Sequence, residues 1–143
     1  MTLVGDYTKD GFRNCHAELA ALVREPGSVN FAGFVPDEEL VRLYNRCAVF
    51  VMPSLEEGFG LPLAEAMACG CHCVVSSGHA LEELGGGAVT TCNPNSAESW
   101  VAAIGQLLDK PAVHNEAALR RSAQYSWRAG AEALAKLLEG AMS

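Results

Sequence analysis

The sequence is poor in positive charge and has no long hydrophobic run. Only 10 lysines and arginines stand against 17 aspartates and glutamates, and the formal net charge is −7. A domain this acidic is poorly suited to gripping nucleic-acid phosphates, so we expect no nucleic-acid partner. No apolar run approaches the roughly 20 residues that cross a bilayer. No charged and apolar leader resembling a signal peptide opens the chain. We therefore expect a cytoplasmic address, with peripheral attachment to a membrane left open.

Internal repeats and low-complexity tracts are also absent. Charged residues make up 19% of the chain and hydrophobic residues 50%, which excludes a disordered protein. A chain of 143 residues is the size of one ordinary domain and can bury a real core. We expect residues 1–143 to form a single domain.

Cysteine, by contrast, is plentiful for a domain large enough to fold without disulfides. The closest spacing, Cys69-Gly70-Cys71-His72-Cys73, leaves one residue between neighbouring cysteines, whereas structural zinc sites usually leave two to four. We expect reduced, mostly buried thiols and no metal, and keep a zinc or thiol-redox site as a lesser alternative. The six cysteines are Cys15, Cys47, Cys69, Cys71, Cys73 and Cys92.

Short apolar runs alternate with amphipathic stretches of helical period. The apolar runs are Thr2–Val4, Asn30–Phe34, Ala48–Met52, Cys71–Ser76 and Ala88–Cys92. The amphipathic stretches are about Phe12–Arg24, Asp37–Cys47, Pro62–Ala68 and Leu81–Leu84. This alternation predicts an α/β fold in which helices flank a parallel, Rossmann-like sheet.

The last third of the chain is predicted to be helical. The three helices are Ser96–Leu108, Val113–Gln124 and Ser126–Met142. Asn95-Ser96-Ala97-Glu98 resembles a capping box, and Ser126 is placed to cap the final helix. Pro62 suits a first helical turn and Gly70 a helix end.

A glycine-containing loop joins a predicted strand to a predicted helix, where α/β proteins bind ligands. Gly58 and Gly60 allow close backbone approach and positive φ angles. The open N–H groups of Gly60 and Leu61 favour an anion. Glu65 leans back toward the same ligand and suits the two hydroxyls of a ribose, while Glu57 suits a sugar. The alternative is an ordinary helix start with acidic residues that complement its dipole.

Two linked motifs cover residues 57–70. The first is Glu57-Gly58-Phe59-Gly60-Leu61-Pro62, and the second is Glu65-Ala66-Met67-Ala68-Cys69-Gly70. Together with residues 31–40, 43–44, 49–54, 81–84, 93–94 and 126–127, they resemble the retaining glycosyltransferases of family 4 (group 1). The resemblance covers essentially the whole chain.

The resemblance implies the C-terminal, donor-binding half of a GT-B fold, in an enzyme that transfers a sugar from a nucleotide-diphosphate sugar with retention. Such enzymes serve polysaccharide or glycolipid biosynthesis. Carried over by position, Glu57 is the catalytic candidate and contacts the donor sugar. The implied donor-binding residues are Gly58, Phe59, Gly60, Leu61, Glu65, Val35 and Leu40. Glu65 would hold the ribose, the glycine loop would meet the sugar and diphosphate, and Val35 with Leu40 would border the base. The nucleotide sugar is substrate, and no cofactor or metal is implied.

The chain departs from the family pattern at its start. The family's donor domain begins one β-α unit earlier, and that unit supplies an arginine and a lysine to the diphosphate; nothing indicates that Lys9 replaces them. The N-terminal acceptor domain, or a partner chain in its place, is also missing. We therefore expect this chain alone to bind nucleotide without turnover, and the Ser126–Met142 helix to pack poorly.

The resemblance implies the strand order 3-2-1-4-5-6 of the family, in which the missing strand would lie mid-sheet, between the Thr2–Val4 and Ala48–Met52 strands. We expect these two strands to pair directly, or another copy or another chain to fill the space, which makes a homo-oligomer through unpaired strands a second expectation.

Two functional hypotheses follow. The first is the donor half of a transferase that uses a UDP-, GDP- or ADP-linked hexose. The second is a catalytically inactive nucleotide-binding module or a subunit of a split transferase. A hydrolase acid/base pair of Glu57 and Glu65 is weaker, because neighbouring N–H groups keep Glu65 ionised.

Overall fold

The structure, a computed structural model, describes residues 1–5, 16–109 and 113–141. Helices and parallel strands alternate along these ranges, as the apolar pattern predicts. The chain divides into two compact units, Met1–Arg42 and Leu43–Ser143. Lys9, Cys15, the predicted start of the first helix at Phe12 and the predicted end of the last at Met142 lie outside the described residues.

The first unit contains a two-stranded parallel sheet. Strand β1 (Thr2–Val4) pairs with β2 (Asn30–Gly33), and Thr2 lies opposite Asn30. Helix α1 (His16–Leu22) connects the two strands, and α2 (Asp37–Arg46) follows β2. The division between the units falls within α2.

The second unit contains a three-stranded parallel sheet in the order β3-β4-β5. Its strands are β3 (Phe50–Met52), β4 (Cys73–Ser76) and β5 (Thr90–Cys92). Its helices are α3 (Leu61–Ala68), α4 (His79–Gly85), α5 (Ala97–Leu108), α6 (Glu116–Ser122) and α7 (Trp127–Ala141). Each helix predicted from residue 62 onward is therefore present, with its ends shifted by a few residues.

The expected direct pairing of the Thr2–Val4 strand with the Ala48–Met52 strand is wrong for the described residues. Within the described ranges, β1 pairs with β2 and β3 pairs with β4, in separate sheets. The alternative, in which another copy or another chain fills the space, stays a prediction.

Three strands begin two residues later than their apolar runs, and in β4 and β5 local turns occupy the first backbone groups. The N–H of Cys71 donates to the carbonyl of Ala66 (3.0 Å) and closes the end of α3. The N–H of Ala88 donates to the carbonyl of Gly85 (2.9 Å) after α4. These groups are not free for a sheet, so β4 starts at Cys73 and β5 at Thr90.

The core of the second unit forms around β4. All four residues of β4 are buried, and Val74 and Val75 have no exposed surface. Helices α3, α4 and α5 each contact this strand. A parallel strand covered on both faces is largely apolar, which explains Cys73, Val74 and Val75, whereas Ser76 at its end is a buried polar residue.

Serine side chains cap two helices; the cap at Ser126 was predicted, whereas Ser96 takes the place of the predicted cap Asn95. The Ser96 hydroxyl accepts a hydrogen bond from the N–H of Ser99 (3.2 Å), and the Ser126 hydroxyl accepts one from the N–H of Ala129 (3.1 Å). The predicted capping box of Asn95 and Glu98 does not form, because Ser96 is the N-cap and Glu98 accepts a hydrogen bond from its hydroxyl (2.9 Å).

Helix α7 buries none of its residues, in agreement with the expectation that it packs poorly, and Trp127 at its start is 90% exposed. In the described ranges, no helix combines the length and the apolarity needed to cross a membrane.

Candidate functional site

The centre of the candidate site is the start of α3, where Gly60 forms the N-cap. Its φ of 92° and ψ of 48° lie in the left-handed region that favours glycine. A Cβ built on Gly60 would lie 2.7 Å from Cδ2 of Leu81 and 3.5 Å from Cδ2 of Leu84. Both the left-handed backbone conformation and the close packing against α4 therefore favour glycine over any other residue at position 60.

This glycine cap leaves backbone N–H groups open at the start of α3. The carbonyl of Gly60 accepts from the N–H groups of Leu63 (2.9 Å) and Ala64 (3.1 Å). Within the described residues, no acceptor is hydrogen-bonded to the N–H of Gly60 or of Leu61, and Gly60 provides no side-chain cap. Open N–H groups and the positive end of the helix dipole favour an anion here.

Glu65 lies one turn into the same helix and is exposed. The hydroxyl of Tyr44, on α2, donates a hydrogen bond to Oε2 of Glu65 (3.1 Å). Burial, and then the charge of Glu65, raise the pKa of Tyr44 well above its usual value, so this hydroxyl stays protonated and donates. The bond steadies the carboxylate and leaves Oε1 for a ligand.

Tyr44 is a positioning residue to which the sequence assigned no role. It is only 7% exposed, and its ring packs edge-on against Phe50 at a centroid distance of 5.6 Å. The sequence places Tyr44 on a helix, but its contact with Glu65 spans 21 positions. Helical periodicity carries no signal for such a distant contact.

The other residues of the motif lie in the loop between β3 and α3. Glu57 is half-buried there. Gly58 is exposed, has an ordinary φ, and has open space where a Cβ would be, so Gly60 is the one of the two glycines that uses its conformational freedom. Leu61 is 54% exposed.

The ring of Phe59 packs against the segment after α6. Its ring meets the ring of Tyr125 edge-on at 5.8 Å. The guanidinium of Arg121 lies 5.1 Å from the centroid of the Tyr125 ring. Sequence analysis did not anticipate this support for the loop, because Tyr125 and Arg121 lie in a helical region without a recognisable motif.

Glu57, the loop 58–61 and Glu65 all belong to the second unit. Val35 and Leu40 belong to the first unit, where both are half-buried, Val35 before α2 and Leu40 within it. Their part in binding a base stays a prediction from the sequence.

The five described cysteines are all free thiols, and three of them, Cys71, Cys73 and Cys92, are buried. Among the side chains that the structure describes, no three histidines, cysteines, aspartates or glutamates are grouped to hold a metal ion.

Known proteins are similar to this chain in sequence and in fold. A serotype-specific mannosyltransferase, WbdA, from Escherichia coli is 40% identical over 100 residues, which cover 68% of this chain and 12% of that protein. A D-inositol 3-phosphate glycosyltransferase from Corynebacterium jeikeium is 35% identical over 116 residues, which cover 78% of this chain and 28% of that protein. The chain therefore spans well under a third of the length of these relatives.

A solved structure gives the same result for the fold. Sucrose-phosphate synthase from Thermosynechococcus elongatus matches 99% of this chain with a TM-score of 0.84 and 27% identity, over 38% of its own chain. This match confirms the α/β, GT-B-type fold class that the sequence predicts.

The model of one protein family, glycosyl transferases group 1, matches residues 1–110. This match covers most of the chain and confirms the resemblance carried by the motifs at residues 57–70. The chain belongs to the group 1 glycosyltransferase family.

Proposed function

We propose that this chain is the donor-binding part of a retaining glycosyltransferase and holds a nucleotide-diphosphate sugar at the start of α3. The observation that carries the proposal is the left-handed Gly60 cap with open N–H groups, followed one turn later by the exposed carboxylate of Glu65. An anion site next to a diol acceptor fits a molecule that has both phosphates and a ribose.

The diphosphate binds at the N–H groups of Gly60 and Leu61. When the bond between the sugar and the diphosphate breaks, negative charge develops on the departing phosphate oxygens. N–H donors and a helix dipole already aimed at that position stabilise the charge without reorganising. Transfer chemistry therefore draws on the backbone of this loop more than on an ionisable side chain.

Glu65 accepts hydrogen bonds from the two ribose hydroxyls. Tyr44 holds one of its carboxylate oxygens at 3.1 Å, which limits the rotation of the side chain before the ligand arrives. Preorganisation of this kind lowers the entropic cost of binding. Glu57 orients the donor sugar through its hydroxyls, and Phe59 is held beside it by Tyr125.

The proposed donor is a UDP-, GDP- or ADP-linked hexose. The Escherichia coli relative is a mannosyltransferase by name, so mannose is the first sugar to test. A role in polysaccharide or glycolipid biosynthesis belongs to the same proposal.

A thermal-shift panel of UDP, GDP, ADP and free phosphate tests the site. A nucleotide at about 100 times its Kd adds about 2.7 kcal/mol to the free energy of unfolding. We expect one nucleotide to raise the Tm and Glu65→Gln to weaken its binding by roughly 10- to 100-fold. The amide keeps an acceptor for Tyr44 but turns one oxygen that faces the diol into a donor.

Two variants make this test specific. Glu56→Gln removes the same charge from an exposed position in the neighbouring loop and should leave affinity within about twofold, as expected for an exposed group without a contact. Tyr44→Phe keeps the Glu65 carboxylate but removes the hydrogen bond that holds it, and should weaken binding less than Glu65→Gln does. Equal losses for Glu56→Gln and Glu65→Gln, or no Tm shift with any nucleotide, would overturn the proposed site.

A further inference from the structure

Cys47 and Cys71 form a close thiol pair at the backbone carbonyl of Tyr44. Cys47 follows the last residue of α2 and is exposed, whereas Cys71 follows α3 and is only 5% exposed. Their sulfur atoms lie 3.6 Å apart. A disulfide bond is about 2.0 Å long, so the sulfurs need to approach by about 1.6 Å.

Both thiols are held by the same backbone carbonyl. The carbonyl oxygen of Tyr44 lies 3.3 Å from Sγ of Cys47 and 3.1 Å from Sγ of Cys71. When both thiols are protonated, Cys47 donates to the sulfur of Cys71 and Cys71 donates to this carbonyl. Once Cys47 ionises, the single proton of Cys71 can be donated to its thiolate instead. The shared acceptor keeps the two sulfurs together, and the proton of Cys71 can stabilise a thiolate on Cys47.

The pKa shifts distinguish an attacking thiol, Cys47, from a resolving thiol, Cys71. The hydrogen bond from Cys71 lowers the pKa of Cys47 to about 7, against the opposing effect of partial burial. The same bond, and then burial, raise the pKa of Cys71 above its usual value. Among the described residues, burial and then the charge of Cys47 also raise the pKa values of the thiols of Cys69 and Cys73.

We propose that Cys47 and Cys71 are a redox-active dithiol that a hydroperoxide converts into an intramolecular disulfide. The exposed member meets the oxidant and the buried member resolves the product. This division matches the arrangement expected of redox-sensing cysteines, in which an accessible thiolate lies beside a resolving thiol. The proposal does not depend on the ligand bound at α3.

The reaction proceeds in two balanced steps. In the first, the Cys47 thiolate attacks one oxygen of hydrogen peroxide. The O–O bond breaks, Cys47 becomes a sulfenic acid, and hydroxide leaves and takes up a proton. In the second, the thiol of Cys71 loses its proton and attacks the sulfur of Cys47, which releases water as the S–S bond forms. Two thiols are oxidised to one disulfide, and one peroxide is reduced to two waters.

Peptide mapping of the full chain tests this pair directly. The protein is treated with one equivalent of hydrogen peroxide, the remaining thiols are blocked with N-ethylmaleimide, and a glutamate-specific protease cuts the chain. Cleavage after Glu56 and Glu65 separates the Cys47 peptide from the peptide that contains Cys69, Cys71 and Cys73. We expect the two peptides to remain linked, lighter by two hydrogen atoms, with fragmentation placing the bond at Cys71.

Variants identify the attacking and the resolving thiol. Cys47→Ser, an exposed change, should abolish the link. Cys71→Ser should leave Cys47 as a sulfenic acid that dimedone traps, and Cys69→Ser should change nothing. A link from Cys47 to Cys69 or Cys73, a sulfinic or sulfonic acid at Cys47 in the wild type, or an unmodified Cys47 would refute the proposal. The outcomes for the wild-type protein test the proposal even if the Cys71→Ser variant fails to fold.

Discussion

Gly60 is the residue on which the local geometry of the candidate site depends most. We predict that Gly60→Ala lowers the free energy of unfolding by roughly 2–4 kcal/mol, because a left-handed φ costs a non-glycine residue about 1–2 kcal/mol and overpacking a core adds a similar amount. The overpacking arises at Leu81, which is only 3% exposed and cannot move into solvent. Urea unfolding followed by circular dichroism measures the change.

Gly58→Ala is the matched control. It lies two residues earlier in the same loop, with an ordinary φ and open space around its Cα. We expect a change within about 0.5 kcal/mol. A similar loss in both variants would mean that the loop tolerates neither side chain, whatever its backbone angles.

A second prediction at this scale concerns the ionisation of Cys47. Because thiolate and not thiol reacts, its alkylation rate should rise with pH through about 7 and level off above that value. Without the hydrogen bond from Cys71, the midpoint should return toward the usual value of about 8.5. Iodoacetamide labelling of Cys47 in the wild type and in Cys71→Ala measures both midpoints; identical midpoints would exclude Cys71 as the cause.

At the scale of the elements, a side chain from α6 caps the C-terminal end of α4. Arg121 donates from Nη2 to the carbonyl of Glu83 (2.7 Å) and from Nε to the carbonyl of Leu84 (3.0 Å). Both carbonyls belong to the last turn of α4, which has no later N–H groups of its own to use. One guanidinium therefore both satisfies this helix end and places a cation at its negative pole.

We predict that Arg121→Met lowers the free energy of unfolding by about 1–3 kcal/mol, the usual range for hydrogen bonds made by a charged group. Arg120→Met is the control, since Arg120 pairs with Glu116 at 3.2 Å where both side chains are at least 72% exposed. Such a surface pair contributes about 0–0.5 kcal/mol. Equal effects of the two variants, measured by urea unfolding, would contradict the assigned role of Arg121.

Element ends were predictable from sequence where the chemistry is local. Gly70 ends α3 with a φ of 75°, and its N–H and that of Cys71 donate to Met67 and Ala66 in a Schellman turn. Asn115 shows the limit of local inference. Its amide caps α6 and also reaches the carbonyl of Ala88, which lies 27 positions away. No pattern of neighbouring residues encodes that second bond.

For the whole molecule, the alternation of apolar runs and amphipathic stretches was enough to predict the α/β class. The strand order within each sheet was not encoded in that alternation and came from the family resemblance. The contacts that shape the candidate site, Tyr44 with Glu65 and Phe59 with Tyr125, form only when distant elements pack, so composition and periodicity do not reveal them.

The two units differ in how much they bury. In the described ranges, every buried hydrophobic residue lies between Tyr44 and Ala118, in the second unit. Regions with few buried apolar groups open at lower free energy. We predict that the backbone N–H groups of β4 exchange with deuterium at least about tenfold more slowly than those of β2, measured by hydrogen-exchange mass spectrometry. Equal protection of the two strands would contradict this difference.

Helix α3 begins and ends at glycines with left-handed φ angles, Gly60 and Gly70. Insertion or deletion of one residue between them would displace one of the two glycines from the position that only glycine fills well. The two glycines therefore disfavour insertions and deletions within the helix. The preceding loop is less constrained, because Leu55, Glu56 and Gly58 are exposed. Loop exchange between relatives, in evolution or in the laboratory, can then alter what the site recognises without moving Glu65.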